Sequence, residues 1–252
     1  MAGPRNPKIC LTFEDVPVLK TRLELATCTR NSKASRKNGL MMRFQTILRR
    51  TFLATILSLS AALFAGPAFA ANSAEDFVQT NIHKGLELLN NKQLSTDQRR
   101  TQFEGFLLGL TDMKRIADFT LGQYRRTASP QDLAAFEAAF QNYAVAVYQS
   151  YFAKYAGQSL KVTGSQQRSS DDFIVATQLI DPNDKTGQQP LEVDFRVRTD
   201  SGKPVVVDFS VAGIWLALEE RDQFTAFLGQ NNGNIHTLIA HLSDLAKQFR
   251  GN

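Results

Sequence analysis

The chain has 252 residues, of which 43% are hydrophobic and 21% charged, and its formal net charge is +5. Residues 1–70 carry eleven Lys and Arg against three Asp and Glu, a net of +8, whereas residues 71–252 carry eighteen against twenty-one, a net of −3. The bulk of the chain therefore offers no basic surface for nucleic acid. With both cysteines (Cys10 and Cys28) in the first 70 residues, it has no disulfide framework or thiolate metal site either.

The basic excess belongs to a leader. Arg43, Arg49 and Arg50 form a positive start, Phe52–Phe64 an apolar run, and Ala68-Phe69-Ala70 a small-residue cleavage site. Residues 41–70 are expected to be a cleaved secretory signal, with Ala71 the first mature residue. The run is about 13 residues, short of the roughly 20 that span a bilayer. Arg49-Arg50-Thr51-Phe52-Leu53 also matches a twin-arginine signal, so the general secretory and twin-arginine routes both stay open. Residues 1–40 are polar and aperiodic, and are expected to be a mis-assigned start or a disordered extension. Residues 71–252 are expected to form one domain, long enough to bury a sizeable core.

Phe77, Ile82, Leu86 and Leu89 predict a helix over 73–90. Ser95 opens a second, with Phe103, Phe106, Leu107 and Leu110 on one side. Thr111 or Asp112 caps a third short segment carrying Met113, Ile116 and Phe119. After a connector at 121–126, Ser129-Pro130 opens the longest helix. Its inward face is Leu133, Phe136, Phe140, Tyr143, Val147 and Tyr151, and Gly157 ends it.

The period then drops to two. Strands are predicted at Leu160–Gly164, Asp172–Ile180, Leu191–Arg198 and Val205–Ala212, with a polar turn from Asp181 to Gly187. In the last strand Val205, Val207, Phe209 and Val211 share one face. Two helices follow, Ile214–Leu228 with Ile214, Leu218, Arg221, Phe224 and Leu228 on one side, and Ile235–Phe249. The expected fold class is α+β: a four-stranded antiparallel sheet with helices packed on one face.

Enzyme signatures are missing. There is no G-x-S-x-G, no H-E-x-x-H and no Gly-rich phosphate loop. His236 and His241 are five apart, a poor metal pair on a helix. Glu219-Glu220-Arg221-Asp222 reads as a solvated charge run. Asp208, in an apolar strand, either faces outward or bonds a nearby base such as Arg221.

Three stretches carry a family resemblance. The first is Phe119-Thr-Leu-Gly-Gln-Tyr-Arg with Ala128-Ser-Pro-Gln and the Phe136…Phe140…Tyr148 helix. The second is Val207-Asp-Phe-Ser-Val-Ala-Gly-Ile-Trp-Leu. The third is Glu220-Arg-Asp-Gln-Phe followed by Gly233…Leu238-Ile239…Leu242. In order and spacing these resemble the toluene-tolerance or MlaC family of periplasmic phospholipid-binding proteins, which includes a hopanoid-associated branch. Trp215 and Glu220 stand where Ser and Tyr are usual. The resemblance implies a periplasmic, non-enzymatic shuttle that needs no cofactor or metal. It would hold a phospholipid or hopanoid-like lipid by its acyl chains, as a monomer, in an apolar cavity of the NTF2-like type between a curved sheet and the helices. Its partners would be an inner-membrane ABC transporter with a mammalian-cell-entry-domain protein, and an outer-membrane lipoprotein complex. Expected pocket walls are Ile116, Phe119, Phe136, Phe140, Tyr143, Val147, Val162, Phe173, Val175, Phe195, Val197, Val207, Phe209, Ile214 and Trp215. Two other classes remain: an envelope adaptor whose groove takes a partner helix, and a small isomerase or dehydratase, for which Asp208 is the tempting acid.

Overall fold

The computed structural model describes residues 67–150, 155–185 and 189–251. Residues 1–66, which include most of the expected leader, and Tyr151 and Gly187 lie outside them. The helices α1 (Pro67–Asn90), α2 (Thr96–Leu110) and α3 (Met113–Thr120) lead through a 3-10 turn (Gly122–Arg126) into α4 (Pro130–Ser150).

The helix starts are written locally. Ser95 and Gln98 form a capping box: Gln98 N–H donates to Ser95 Oγ at 3.2 Å and Ser95 N–H to Gln98 Oε1 at 2.9 Å. Asp112 Oδ1 accepts the Arg115 N–H at 3.0 Å, and Ser129 Oγ accepts that of Asp132 at 3.1 Å beside Pro130. Gly122 has φ +55°, and a Cβ there would lie 2.8 Å from Thr225 Cγ2. Both the backbone and the close approach require glycine.

The sheet has five strands rather than four: β1 (Ser159–Ser169), β2 (Asp172–Ile180), β3 (Glu192–Arg198), β4 (Val205–Val211) and β5 (Ile214–Trp215), in that spatial order and antiparallel throughout. The fifth strand arises at Ala212 (φ 52°) and Gly213 (φ 80°). Two successive left-handed residues make the tight turn of a two-residue hairpin. Ile214 folds back onto Val211 and Trp215 onto Ser210, so α5 begins only at Leu216 (Leu216–Gln230). Register shifts at Val162/Gly164, Gln167/Ser169 and Arg196/Val197 curve the sheet.

The late start of α5 also changes its inward face. Ala217, Phe224 and Leu228 are buried and Leu218 is exposed. Phe224 and Leu228 face inward as expected, but in the first turns Ala217 and Glu220 take the inward positions expected of Leu218 and Arg221, with the Ala217 amide bonded to Asp208 of β4.

Two apolar clusters hold the molecule. Leu121, Phe136, Phe140, Phe224, Leu228, Leu238 and Leu242 join α4, α5 and α6 (Ile235–Gly251). Phe224 meets Phe136 and Phe140 edge-on at 6.2 and 6.3 Å. The second cluster packs Ala74 and Val78 of α1 on Phe173, Val175 and Val197 of the sheet. The sheet's alternate residues carry ion pairs. Arg196 makes a two-bond fork to Asp172 at 3.1 and 2.8 Å. Asp200 bridges Arg198 (2.8 Å) and Arg115 of α3 (2.9 and 3.0 Å). Burial pushes the Asp172 carboxyl up, but the Arg196 bonds and nearby Arg198 outweigh it and hold it below its ordinary value.

Candidate ligand cavity

The apolar face of the curved sheet has two ends. At one, α1 lies directly on it. At the other, α1, α2 and α4 arch over it and leave a cavity of about 460 Å³, within the range of small-molecule sites. Its helical walls include Val78, Ile82, Leu86 and Leu89 of α1, Phe103, Phe106, Leu107 and Leu110 of α2, and Phe140, Ala144, Val147 and Tyr148 of α4. The sheet supplies Leu160, Leu179, Val193, Phe195, Val206, Phe209 and Val211. Phe209 sits between Tyr148 (ring centroids 5.7 Å apart) and Phe195 (6.4 Å), so two strands and one helix meet in one aromatic stack.

Of the fifteen residues expected as pocket walls, Ile116, Phe140, Tyr143, Val147, Phe195 and Phe209 line this cavity. Val162, Phe173, Val175 and Val197 are on the anticipated face but at the end that α1 covers, where they form core. Phe136 is fully buried in the helical cluster. Phe119 is 40% exposed, with the Arg221 guanidinium 5.1 Å above its ring. Ile214 and Trp215 are half-buried in β5. Val207 is off the cavity because β4 bulges there: Arg196 pairs with Asp208 and the next residue, Val197, with Val206. The bulge moves Val206 onto the cavity wall and Val207 away from it.

The walls contributed by α1 and α2 were missed. Their apolar stripes were legible, but nothing in a stripe says whether its neighbour is protein or empty space.

Two carboxyls interrupt the apolar lining. Asp208 Oδ1 accepts the N–H of Phe209 at 2.8 Å and of Ala217 at 2.9 Å. It thus caps the start of α5 from β4, where Trp215 supplies no side-chain cap; it is buried and does not face outward, and the base near it is Arg196. Burial raises its pKa to about 6, against the two backbone donors and Arg196, which lower it. Glu220 turns inward too, contrary to the solvated charge run expected at 219–222. Its Oε1 accepts the Tyr143 hydroxyl at 2.9 Å. Burial pushes its pKa up to about 7; the Tyr143 bond works against this and Glu219 adds to it. Glu220 lies three residues from Ala217 and four from Phe224, and that spacing is the sequence signal for its inward face.

No Lys, Arg or His among the described residues belongs to the lining. Among the described residues no cluster of His, Cys, Asp and Glu could hold a metal ion, and no helix is long and apolar enough to cross a membrane. The arrangement can desolvate and hold an apolar body of considerable size.

The fold is similar to that of the phospholipid-binding protein from Ralstonia solanacearum, solved in complex with a phospholipid. The TM-score is 0.57 at 18% identity, covering 70% of this chain and 98% of that one. At that identity the likeness is one of fold. The family described as MlaC protein matches residues 79–244, from within α1 to within α6. That match takes in every strand, every wall of the cavity except Val78, and well over half of the sequence, and the chain accordingly belongs to the MlaC protein family.

Proposed function

We propose that this protein is a periplasmic lipid carrier. The acyl chains of a phospholipid, or of a related lipid, occupy the cavity between the curved sheet and α1, α2 and α4, and the headgroup stays outside. The observation that carries this reading is the lining itself, which among the described residues is almost wholly aliphatic and aromatic with no basic side chain. Membership of the MlaC family and the phospholipid held by the similar fold support it. Each buried methylene contributes about 0.8 kcal/mol, so two long chains supply enough affinity without any covalent step. The carrier exchanges its cargo with an inner-membrane ABC transporter, through a mammalian-cell-entry-domain protein, and with an outer-membrane lipoprotein complex. It is delivered across the inner membrane by its leader. The transporter's nucleotide hydrolysis, and no group in this chain, drives the cycle.

The test is lipid transfer between vesicles. The purified protein should accelerate movement of a fluorescent phospholipid from donor to acceptor vesicles, in proportion to its concentration. A rate no greater than that without protein would refute the proposal.

A further inference from the structure

Three buried side-chain polar atoms among the described residues have no hydrogen-bond partner: Asp118 Oδ1, Arg198 Nε and Glu220 Oε2. The first two belong to side chains whose other atoms make ion pairs, Asp118 with Arg125 (3.1 Å) and Arg198 with Asp171 (2.9 Å) and Asp200 (2.8 Å). Glu220 differs, because it lines the cavity. A buried polar atom without a partner costs its full desolvation, so it calls for an explanation. The position would be filled more stably by Leu or Met if apolar chains were all it met.

The bond to Tyr143 fixes which oxygen does what. The tyrosine hydroxyl donates to Oε1 at 2.9 Å, so Oε1 is the accepting oxygen. In the neutral acid the proton then sits on Oε2, the oxygen that has no partner among the described residues. An acyl chain offers nothing to such a donor. The oxygen-bearing junction between the chains and the headgroup does.

We propose that Glu220, oriented by Tyr143, is the polar anchor of the cavity, and that its Oε2–H donates a hydrogen bond to an ester carbonyl oxygen of the bound lipid. This rests on the carrier reading above and narrows it to ester-linked lipids. The surroundings favour the neutral acid. Glu219 precedes it on α5 and repels the charged form, Tyr143 faces it from α4, and Asp208 on β4 is the cavity's other carboxyl. Among the described residues the lining holds no cation to offset a charge, and burial lifts the Glu220 pKa to about 7. Ionisation would remove the donor and set a negative charge against the ester oxygen. Affinity is therefore highest below neutral pH and falls as pH rises.

The test compares a diacyl phosphatidylglycerol with its dialkyl ether analogue, which lacks the carbonyl. Binding to the purified protein is followed at pH 6 and pH 8.5. The wild type should prefer the diacyl lipid by about tenfold at pH 6, the worth of one net hydrogen bond, and lose most of that preference at pH 8.5. Glu220→Gln keeps a donor that does not titrate, so the preference should persist at both pH values. Glu220→Leu should show none at either. Equal binding of the two lipids by wild type at pH 6, with affinity flat to pH 8.5, overturns the anchor and leaves the carrier reading standing. Uptake of neither lipid at any pH overturns both.

Discussion

Asp208 shows how one side chain ties strand, turn and helix together. It closes the backbone beside the β4 bulge and caps α5 with the same oxygen. Asp208→Ala should cost about 1–2 kcal/mol, the worth of a lost helix cap, in urea denaturation at pH 7. Asp208→Asn, which keeps the accepting oxygen, should cost distinctly less. Equal losses would mean that the charge, and not the cap, matters. Asp208 and Glu220 also give stability a pH dependence of definite sign. Their folded pKa values are raised from 3.8 and 4.5 to about 6 and 7, so the folded chain keeps protons that the unfolded chain has released. Their contribution is fully present below pH 4 and is lost as pH rises to about 7. Asp172 and Asp200, whose pKa values are lowered, act the other way and lose their contribution only below pH 4. Glu220→Gln should flatten the fall between pH 4 and 7 and stabilise the protein at pH 8 by about 1–3 kcal/mol. An unchanged profile would show that Glu220 does not titrate in that window. The inward turn of Glu220 was hidden in the sequence by its charged neighbours, although its spacing from Ala217 and Phe224 pointed inward.

At the scale of elements, the local chemistry was legible where the local signal was complete. Ser95 and Ser129 start the helices they were expected to start, and of the two candidates Thr111 and Asp112 it is Asp112 that caps α3, while β2 runs over Asp172–Ile180 as its alternation predicts. Two irregularities were not legible. The bulge at Val207 leaves the apolar spelling of β4 intact, because both Val206 and Val207 are valines, and only pairing with β3 reveals which one faces in. The β4–β5 hairpin uses Ala212 at φ 52°, where a turn-favouring residue would have announced it. A non-glycine residue there carries about 1–2 kcal/mol of backbone strain. Ala212→Gly should therefore leave thermal stability unchanged or raise it slightly, while Gly213→Val should lower it clearly. A melting temperature that drops sharply for Ala212→Gly would show that the left-handed turn is not strained.

The whole molecule separates core from cavity along one sheet face, and this is the part that residue types could not encode. Phe173, Val175 and Val197 look the same in sequence as Phe195, Phe209 and Val211, yet α1 seals the first set and the arch of α1, α2 and α4 leaves the second open. The distinction is measurable. Val197→Ala removes core volume and should cost about 2 kcal/mol with little effect on bound lipid. Ala144→Phe grows into the cavity. It should keep or raise thermal stability while displacing lipid, whereas overpacking a filled core would cost about 1–3 kcal/mol. The central claim, that this cavity carries a lipid, is met most directly by native mass spectrometry of the protein purified from periplasm without detergent, with organic extraction of what it holds. The account predicts one protein carrying a stoichiometric, extractable phospholipid or related ester lipid. A clean mass of protein alone that gains nothing from liposomes would contradict it.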